Sequence, residues 1–199
     1  MMTRRLFAPL SVAALALASA GLMLAQPVLA QAKPAQLQAA QSELAFTSKQ
    51  MGVPVEGKFK RFDAQLAFDP KKPETGKVSF TIELGSASLG DAAVDAELVK
   101  PAWFDVKKIP QASFQSSAIK ALGNHRYEVA GKLAIKGQTR DLVVPVTLAQ
   151  SGANTTATGA FAIKRLDFKI GDGEWADTSM VANDVQVRFK LNFTGVAPL

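Results

Sequence analysis

The sequence predicts an all-β protein: an eight-stranded antiparallel barrel with one short helix set between strands and an N-terminal signal peptide. Three observations carry the prediction. Apolar residues recur at every second position in most segments beyond Ser42. Turn-forming residues separate those segments at hairpin spacing. The first thirty residues have the composition of an export signal.

That leader comes first in the chain. Arg4 and Arg5 precede an Ala- and Leu-rich stretch from Leu6 to Leu24, and Val28-Leu29-Ala30 places small or aliphatic residues where a signal peptidase reads them. Residues 1–30 are therefore read as a signal peptide cleaved near Ala30. The apolar stretch is nearly long enough to span a bilayer, but Pro9, the many Ala and Ser residues and the cleavage-like end favour removal. Without cysteine, the chain has neither a lipoprotein attachment point nor a disulfide framework, and a bacterial periplasm is the expected location. Losing Arg4 and Arg5 takes the formal charge from +6 to +4. A charge so small and dispersed argues against nucleic acid as a partner. Residues 31–41, "QAKPAQLQAAQ", show no alternation and read as a flexible leader. Residues 42–199 form one domain.

Within that domain, Phe62, Ala64, Leu66 and Phe68 share one face while Asp63, Gln65 and Asp69 take the other. Val78, Phe80, Ile82 and Leu84 repeat the pattern. So do Tyr127, Val129, Leu133 and Ile135, then Leu142, Val144, Val146 and Leu148, then Phe161 and Ile163. The last strand is the clearest, with Val185, Val187, Phe189, Leu191 and Phe193 against Gln186, Arg188, Lys190 and Asn192. "DPKKPETG", "GNHR" and "SGAN" are the turns. One segment departs from period two: Asp91 to Lys100 suits a short helix, with Asp91 and Asp95 near its start and Pro101 just beyond its end. It is placed to close one end of the strands. About eight strands with one apolar face each can hide that face in a closed barrel or between two stacked sheets. Periodicity alone leaves both open.

Reaction chemistry is sparse. The single histidine, His125, falls in the turn-like "GNHRY", and there is no cysteine nucleophile. No catalytic residues, cofactor or metal site are expected, Asp172, Glu174 and Asp177 resembling a calcium loop only loosely. No glycine-rich phosphate fingerprint follows a strand. Arg165 stands out among the basic residues, because its register puts it on the face of Phe161 and Ile163, where it is a candidate contact for a head group.

"FTSKQMGVPVEGKFKRFDAQLAFDP", "PAWFDVKKIPQASFQSSAI", "YEVAGKLAIKGQTRDLVVPVTL" and "FAIKRLDFKIGDGEWADTSMVANDVQVRF" follow one another in the chain. In that order they resemble the successive signatures of the YceI-like, polyisoprenoid-binding family of exported lipocalin-like barrels, from about Ser42 to Phe193. The resemblance implies an elongated apolar tunnel for a long isoprenoid or acyl chain, such as an isoprenoid quinone, a polyprenyl phosphate or a fatty amide, and no catalysis. It departs at Gln50 and at Ala96-Glu97-Leu98, where many relatives carry histidine. No head-group or metal contact of those histidines carries over.

The expected wall residues are Phe46, Phe59, Phe62, Phe80, Phe114, Phe161 and Phe189, with Trp103, Arg165, Phe168 and Trp175 as further lumen and mouth candidates. The same phenylalanines would equally fill a solid core. The acidic residues of 172–177 are read as turn and capping residues in preference to partners for Arg165. The expected partner is a long-chain lipid, with transient contact to a membrane or membrane protein and a homodimer through one barrel face both allowed. The alternative function is a non-catalytic interaction module with a packed barrel; an enzyme using Arg165 on a lipid head group ranks third.

Overall fold

The computed structural model describes residues 35–199. The expected signal peptide, 1–30, and the first residues of the expected leader, 31–34, lie outside the described residues. The strands are β1 (Ala35–Leu37), β2 (Glu43–Gln50), β3 (Val53–Phe59), β4 (Phe62–Ala67), β5 (Lys77–Glu83), β6 (Ala87–Ser88), β7 (Gln111–Gly123), β8 (Arg126–Ile135), β9 (Gln138–Ser151), β10 (Asn154–Lys164) and β11 (Asp184–Thr194). Among the described residues a single α-helix, α1 (Ala92–Leu98), lies between β6 and β7.

These segments make eight staves, because six of them are halves of three bent strands. β1 runs on as β2 past a 3-10 turn at Ala39–Gln41, β3 as β4 through Lys60 and Arg61, and β5 as β6 past Leu84–Ser86. Ser86 pins the second bend: its buried hydroxyl accepts from the Arg61 amide at 3.0 Å and donates to the Glu83 carbonyl at 2.7 Å. All neighbours are antiparallel, and β1 closes the ring by pairing with β4 on one side and β11 on the other. A closed barrel, rather than two stacked sheets, is therefore how the apolar faces are hidden.

β1 corrects one expectation. The segment read as a flexible leader, 31–41, supplies the closing strand, with Gln36 opposite both Gln65 and Thr194. The folded domain thus begins before Ser42. Three residues are too few to display a period of two, and what holds them is the pair of open edges they meet.

Helix α1 forms where the sequence placed it. Asp91 caps it, its carboxylate accepting from the amides of Ala93 (2.8 Å) and Val94 (3.1 Å). The helix and its following loop carry Leu98 and Phe104, both buried, onto the interior. The connections 51–52, 89–110, 136–137 and 165–183 meet at this end. They are tied together by hydrogen bonds from the Met51 amide to the Met180 carbonyl (2.9 Å) and from the Gly171 amide to the Ala102 carbonyl (2.8 Å).

Candidate functional site: an apolar cavity in the barrel

The interior is hollow. A cavity of about 230 Å³ lies inside the ring, and every stave contributes to its wall. Alternation explains the lining: along β8, Tyr127, Val129, Leu133 and Ile135 all face in and are buried, as is Gly131 at the same parity, while the alternate residues Glu128, Ala130, Lys132 and Ala134 face out. What keeps the middle open is where the aromatic rings lie. Gly57 faces Phe46 across the β2–β3 ladder, and Gly159 faces Phe189 across β10–β11. A Cβ built on either glycine would collide with the opposing ring. Each phenylalanine thus lies down over a glycine, flat against the wall, where an ordinary cross-strand partner would push it into the lumen.

Of the residues singled out from sequence, Phe46, Phe59, Phe80, Phe114, Phe161, Phe189, Trp103 and Arg165 line the cavity. Phe62, Phe168 and Trp175 do not. Phe62 begins β4 at the bend, stacks on Phe80 with centroids 5.6 Å apart, and faces a separate pocket in the wall between residues 39–44 and 58–63. Phe168 is buried in the 3-10 turn Arg165–Phe168, with the Arg140 guanidinium 6.0 Å from its ring centre. Period two ends at Lys164, so counting on from Phe161 cannot place Phe168. Trp175 packs on Trp103 with centroids 5.6 Å apart, one ring removed from the lumen.

Arg165 is 2% exposed and, among the described residues, has no carboxylate partner. Its guanidinium has five N–H groups, and each finds a main-chain carbonyl. Nε donates to Ala182 (3.1 Å), Nη1 to Ile170 (2.9 Å) and Gly171 (2.5 Å), and Nη2 to Trp175 (2.7 Å) and Val181 (2.7 Å). Burial pushes this guanidinium below its ordinary pKa, and the ring of carbonyl dipoles offsets the lost hydration. The residue thus folds the 165–183 connection around itself. Gly171, at φ +64°, makes this approach feasible, since a Cβ there would meet Arg165 Nη1 at 2.7 Å and the Trp103 ring at 3.0 Å.

A second cation works the same way. The Lys136 ammonium, on a side chain 9% exposed, donates to the carbonyls of Lys169 (2.5 Å) and Ala102 (3.2 Å) and lies 3.7 Å from Asp172. Asp177 accepts from the Ser179 amide (2.8 Å) and hydroxyl (2.7 Å), so it is a turn residue, in line with the preferred reading of the acidic loop. His125 sits exposed in the β7–β8 turn, at φ 55°. Among the described residues, no three His, Asp or Glu side chains converge.

Sequence reasoning missed Leu98, Phe104, Ile170, Val181 and the hydroxyl-bearing Ser48 in the lining; Tyr127, placed on the apolar face by its alternation, brings a second hydroxyl to it. Burial pushes the Tyr127 phenol up from its ordinary pKa. Ser48 had a signal: it continues the inward alternation of Leu44 and Phe46 along β2.

Comparison with known proteins agrees with this architecture. The chain is 47% identical to Burkholderia cenocepacia BcnA, a match that covers 79% of this chain and 99% of that one, with a TM-score of 0.77. The fold recurs in a polyisoprenoid binding domain from Saccharophagus degradans, at 17% identity over 84% of this chain and 99% of that one, with a TM-score of 0.63. A UPF0312 protein of Pseudomonas putida is 33% identical over 98 residues, which is 49% of this chain and 51% of that protein. One from Photorhabdus laumondii is 31% identical over 121 residues, covering 57% and 62%. The chain spans about half the length of the curated relatives it matches. The YceI-like domain model matches residues 36–193, from the strand that closes the ring almost to the end of β11, and the chain belongs to the YceI-like family.

Proposed function

We propose that this protein is an exported, periplasmic binding protein that holds a long-chain isoprenoid or acyl lipid in its barrel and performs no reaction on it. The observation that carries the reading is the cavity, closed by a continuous ladder and walled almost wholly by aliphatic and aromatic side chains. An apolar cavity of this size favours hydrocarbon over water, and each methylene transferred into it contributes roughly 0.8 kcal/mol. The lining candidates Phe46, Phe59, Phe80, Phe114, Phe161 and Phe189 are the side chains the lipid tail would touch. The Saccharophagus degradans domain, which shares the fold, is described as polyisoprenoid binding, consistent with this class of ligand.

The test is native mass spectrometry of protein purified from its own periplasm, followed by organic extraction. A stoichiometric lipid is expected. A protein that emerges empty and refuses quinones, polyprenyl phosphates and fatty amides overturns the reading.

A second reading adds a contact with a membrane or membrane protein. It is favoured by three exposed apolar side chains at one end of the barrel: Met51 (73% exposed), Val53 (62%) and Met180 (48%), the first and last joined through their backbones. Met51→Asp with Met180→Asp would then slow lipid transfer from vesicles while leaving affinity for dispersed lipid unchanged. Equal slowing of both would remove this reading.

A further inference from the structure

We propose that the Ser48 hydroxyl is the contact for a polar group of the bound lipid, and that it selects an uncharged group, a carbonyl, amide or alcohol, over a phosphate. The proposal rests on the lipid-binding reading above and makes it more specific.

Ser48 follows Leu44 and Phe46 on the inner face of β2 and lines the cavity. Its Oγ is buried, and among the described residues it is the fully buried side-chain polar atom left without a hydrogen-bond partner. A buried hydroxyl left unpaired is unfavourable, and native structures avoid it unless something else meets the group. A ligand atom that accepts from or donates to Oγ would remove the penalty, and does so only when the ligand is present. Position supports this. Ser48 lies near the β2–β3 turn, and Gln50 two residues on bridges to Val181 of the 165–183 connection. The free hydroxyl therefore sits at the loop-bearing end of the lumen, beneath the carbonyls gathered by Arg165.

The same end argues against an anion. A phosphate leaving water needs several N–H donors aimed at it to offset its lost hydration. Arg165 lines the cavity, but all five of its N–H groups are on carbonyls. The Lys136 ammonium holds two more carbonyls and faces Asp172. Serving a phosphate would break main-chain bonds that hold the connection in shape. A neutral carbonyl, amide or alcohol asks for only one hydrogen bond, and Ser48 offers one. Tyr127, the other hydroxyl-bearing residue of the lining, stands at the opposite end, near the β7–β8 turn.

The experiment uses the mature protein and Ser48→Ala, stripped of lipid. It measures displacement of a fluorescent fatty probe by three competitors of one chain length: a fatty amide, the corresponding alkyl phosphate and the plain hydrocarbon. Wild type is expected to bind the amide more tightly than the phosphate. Ser48→Ala is expected to weaken the amide about 3- to 10-fold, the worth of one hydrogen bond, and to leave the hydrocarbon unchanged. Lipid-free Ser48→Ala should also melt at a higher temperature, because the unpaired hydroxyl is gone. Amide affinity that survives Ser48→Ala overturns the proposal, as does phosphate binding equal to that of the amide, or a variant that melts lower. In those cases the lipid-binding reading still stands. Failure of all three competitors to displace the probe from wild type would instead remove the lipid-binding reading itself.

Discussion

At one end of the barrel the chain reverses mostly in minimal turns, Asn124–His125 between β7 and β8 and Gly152–Ala153 between β9 and β10. At the other end two long connections, 89–110 and 165–183, fold over the opening. The turns are held by the ladders that flank them and by residues that accept positive φ, Asn124 at 52° and Gly152 at 58°. The long connections have little ladder of their own, and a loop of that length has much conformational entropy to lose. Cations compensate. Arg165 gathers five carbonyls from residues 170 to 182, and Lys136 ties the 165–183 connection to Ala102 in the 89–110 connection. A charge buried on main-chain acceptors does for an irregular loop what cross-strand pairing does for a hairpin, but through a single side chain. The looped end is therefore the more vulnerable of the two.

Removing that side chain should give the largest effect. Arg165→Ala leaves five carbonyls, three of them in buried hydrogen bonds, to find other partners or water, and a loss of about 3–5 kcal/mol is expected in denaturant unfolding. Hydrogen exchange should rise across 165–183 and stay unchanged at 124–125 and 152–153. Arg165→Lys should recover little, since a compact ammonium with three donors cannot span acceptors that a planar guanidinium reaches in five directions. Uniform loss of protection at both ends would break the comparison, because it would mean that the connection and the ladders unfold together.

Next comes the wall between the ends. Gly57→Ala puts a methyl group into the Phe46 ring and within 2.8 Å of Leu89. The φ of Gly57 is not positive, so the backbone accepts alanine and only the packing changes. About 1–3 kcal/mol of destabilisation is expected from overpacking. The displaced ring would move toward the lumen, so lipid capacity should fall together with stability. A variant that loses stability and keeps full lipid affinity would separate the glycine-backed rings from the cavity.

The difference between the regions also decided what was legible in the sequence. Strands flanked by minimal turns could be read directly, as β8 and β9 show from Tyr127 to Ile135 and from Leu142 to Leu148, while β11, which follows the long 165–183 connection, was legible from its own unbroken alternation over Val185 to Phe193. β7 was not legible as a strand, because register shifts at Ser116/Ala118 and Ala121/Gly123 break its alternation. β1 was hidden by its brevity. Of the cavity, the phenylalanines on regular strands could be counted inward, and Phe46, Phe80 and Phe189 line it. Counting reaches no further than Arg165, where a 3-10 turn replaces the strand and carries Phe168, expected at the mouth as a loop residue, away from the lumen. Arg165 was flagged by register, but its partners are carbonyls that no pattern of side chains announces. Whether the barrel is hollow turned on Gly57 and Gly159 facing phenylalanines, a matter of pairing register rather than composition.

A smaller effect sharpens the contrast within the looped end. The 89–110 connection has a regular element of its own, and Asp91 supplies its cap. Asp91→Ala should cost about 1 kcal/mol and fray α1 without disturbing the carbonyls held by Arg165. Far-ultraviolet circular dichroism and exchange at Ala93 and Val94 would register the loss. Increased exchange at Ile170 or Val181 as well would show the two connections to be one cooperative unit.

The smallest effect is a pH dependence of the Asp177 turn in the 165–183 connection. The Ser179 hydroxyl and amide bond the Asp177 carboxylate and hold its pKa below the ordinary aspartate value. A depressed folded pKa means that the unfolded chain binds the proton more readily, so the stabilisation is complete above about pH 5 and lost as pH falls below the ordinary aspartate pKa of about 3.9. The Val181 amide donates to the Asp177 carbonyl at 3.2 Å, so its exchange reports on the turn directly. Protection there should be flat at neutral pH and decline in acid, earlier in Ser179→Ala, whose Asp177 would titrate nearer its ordinary value. Arg165 stays charged throughout this range, so the carbonyls it holds at Ile170 and Gly171 should keep their order after the Asp177 turn has loosened. Simultaneous loosening of both sites would mean that the acidic turn, and not the arginine alone, supports the connection.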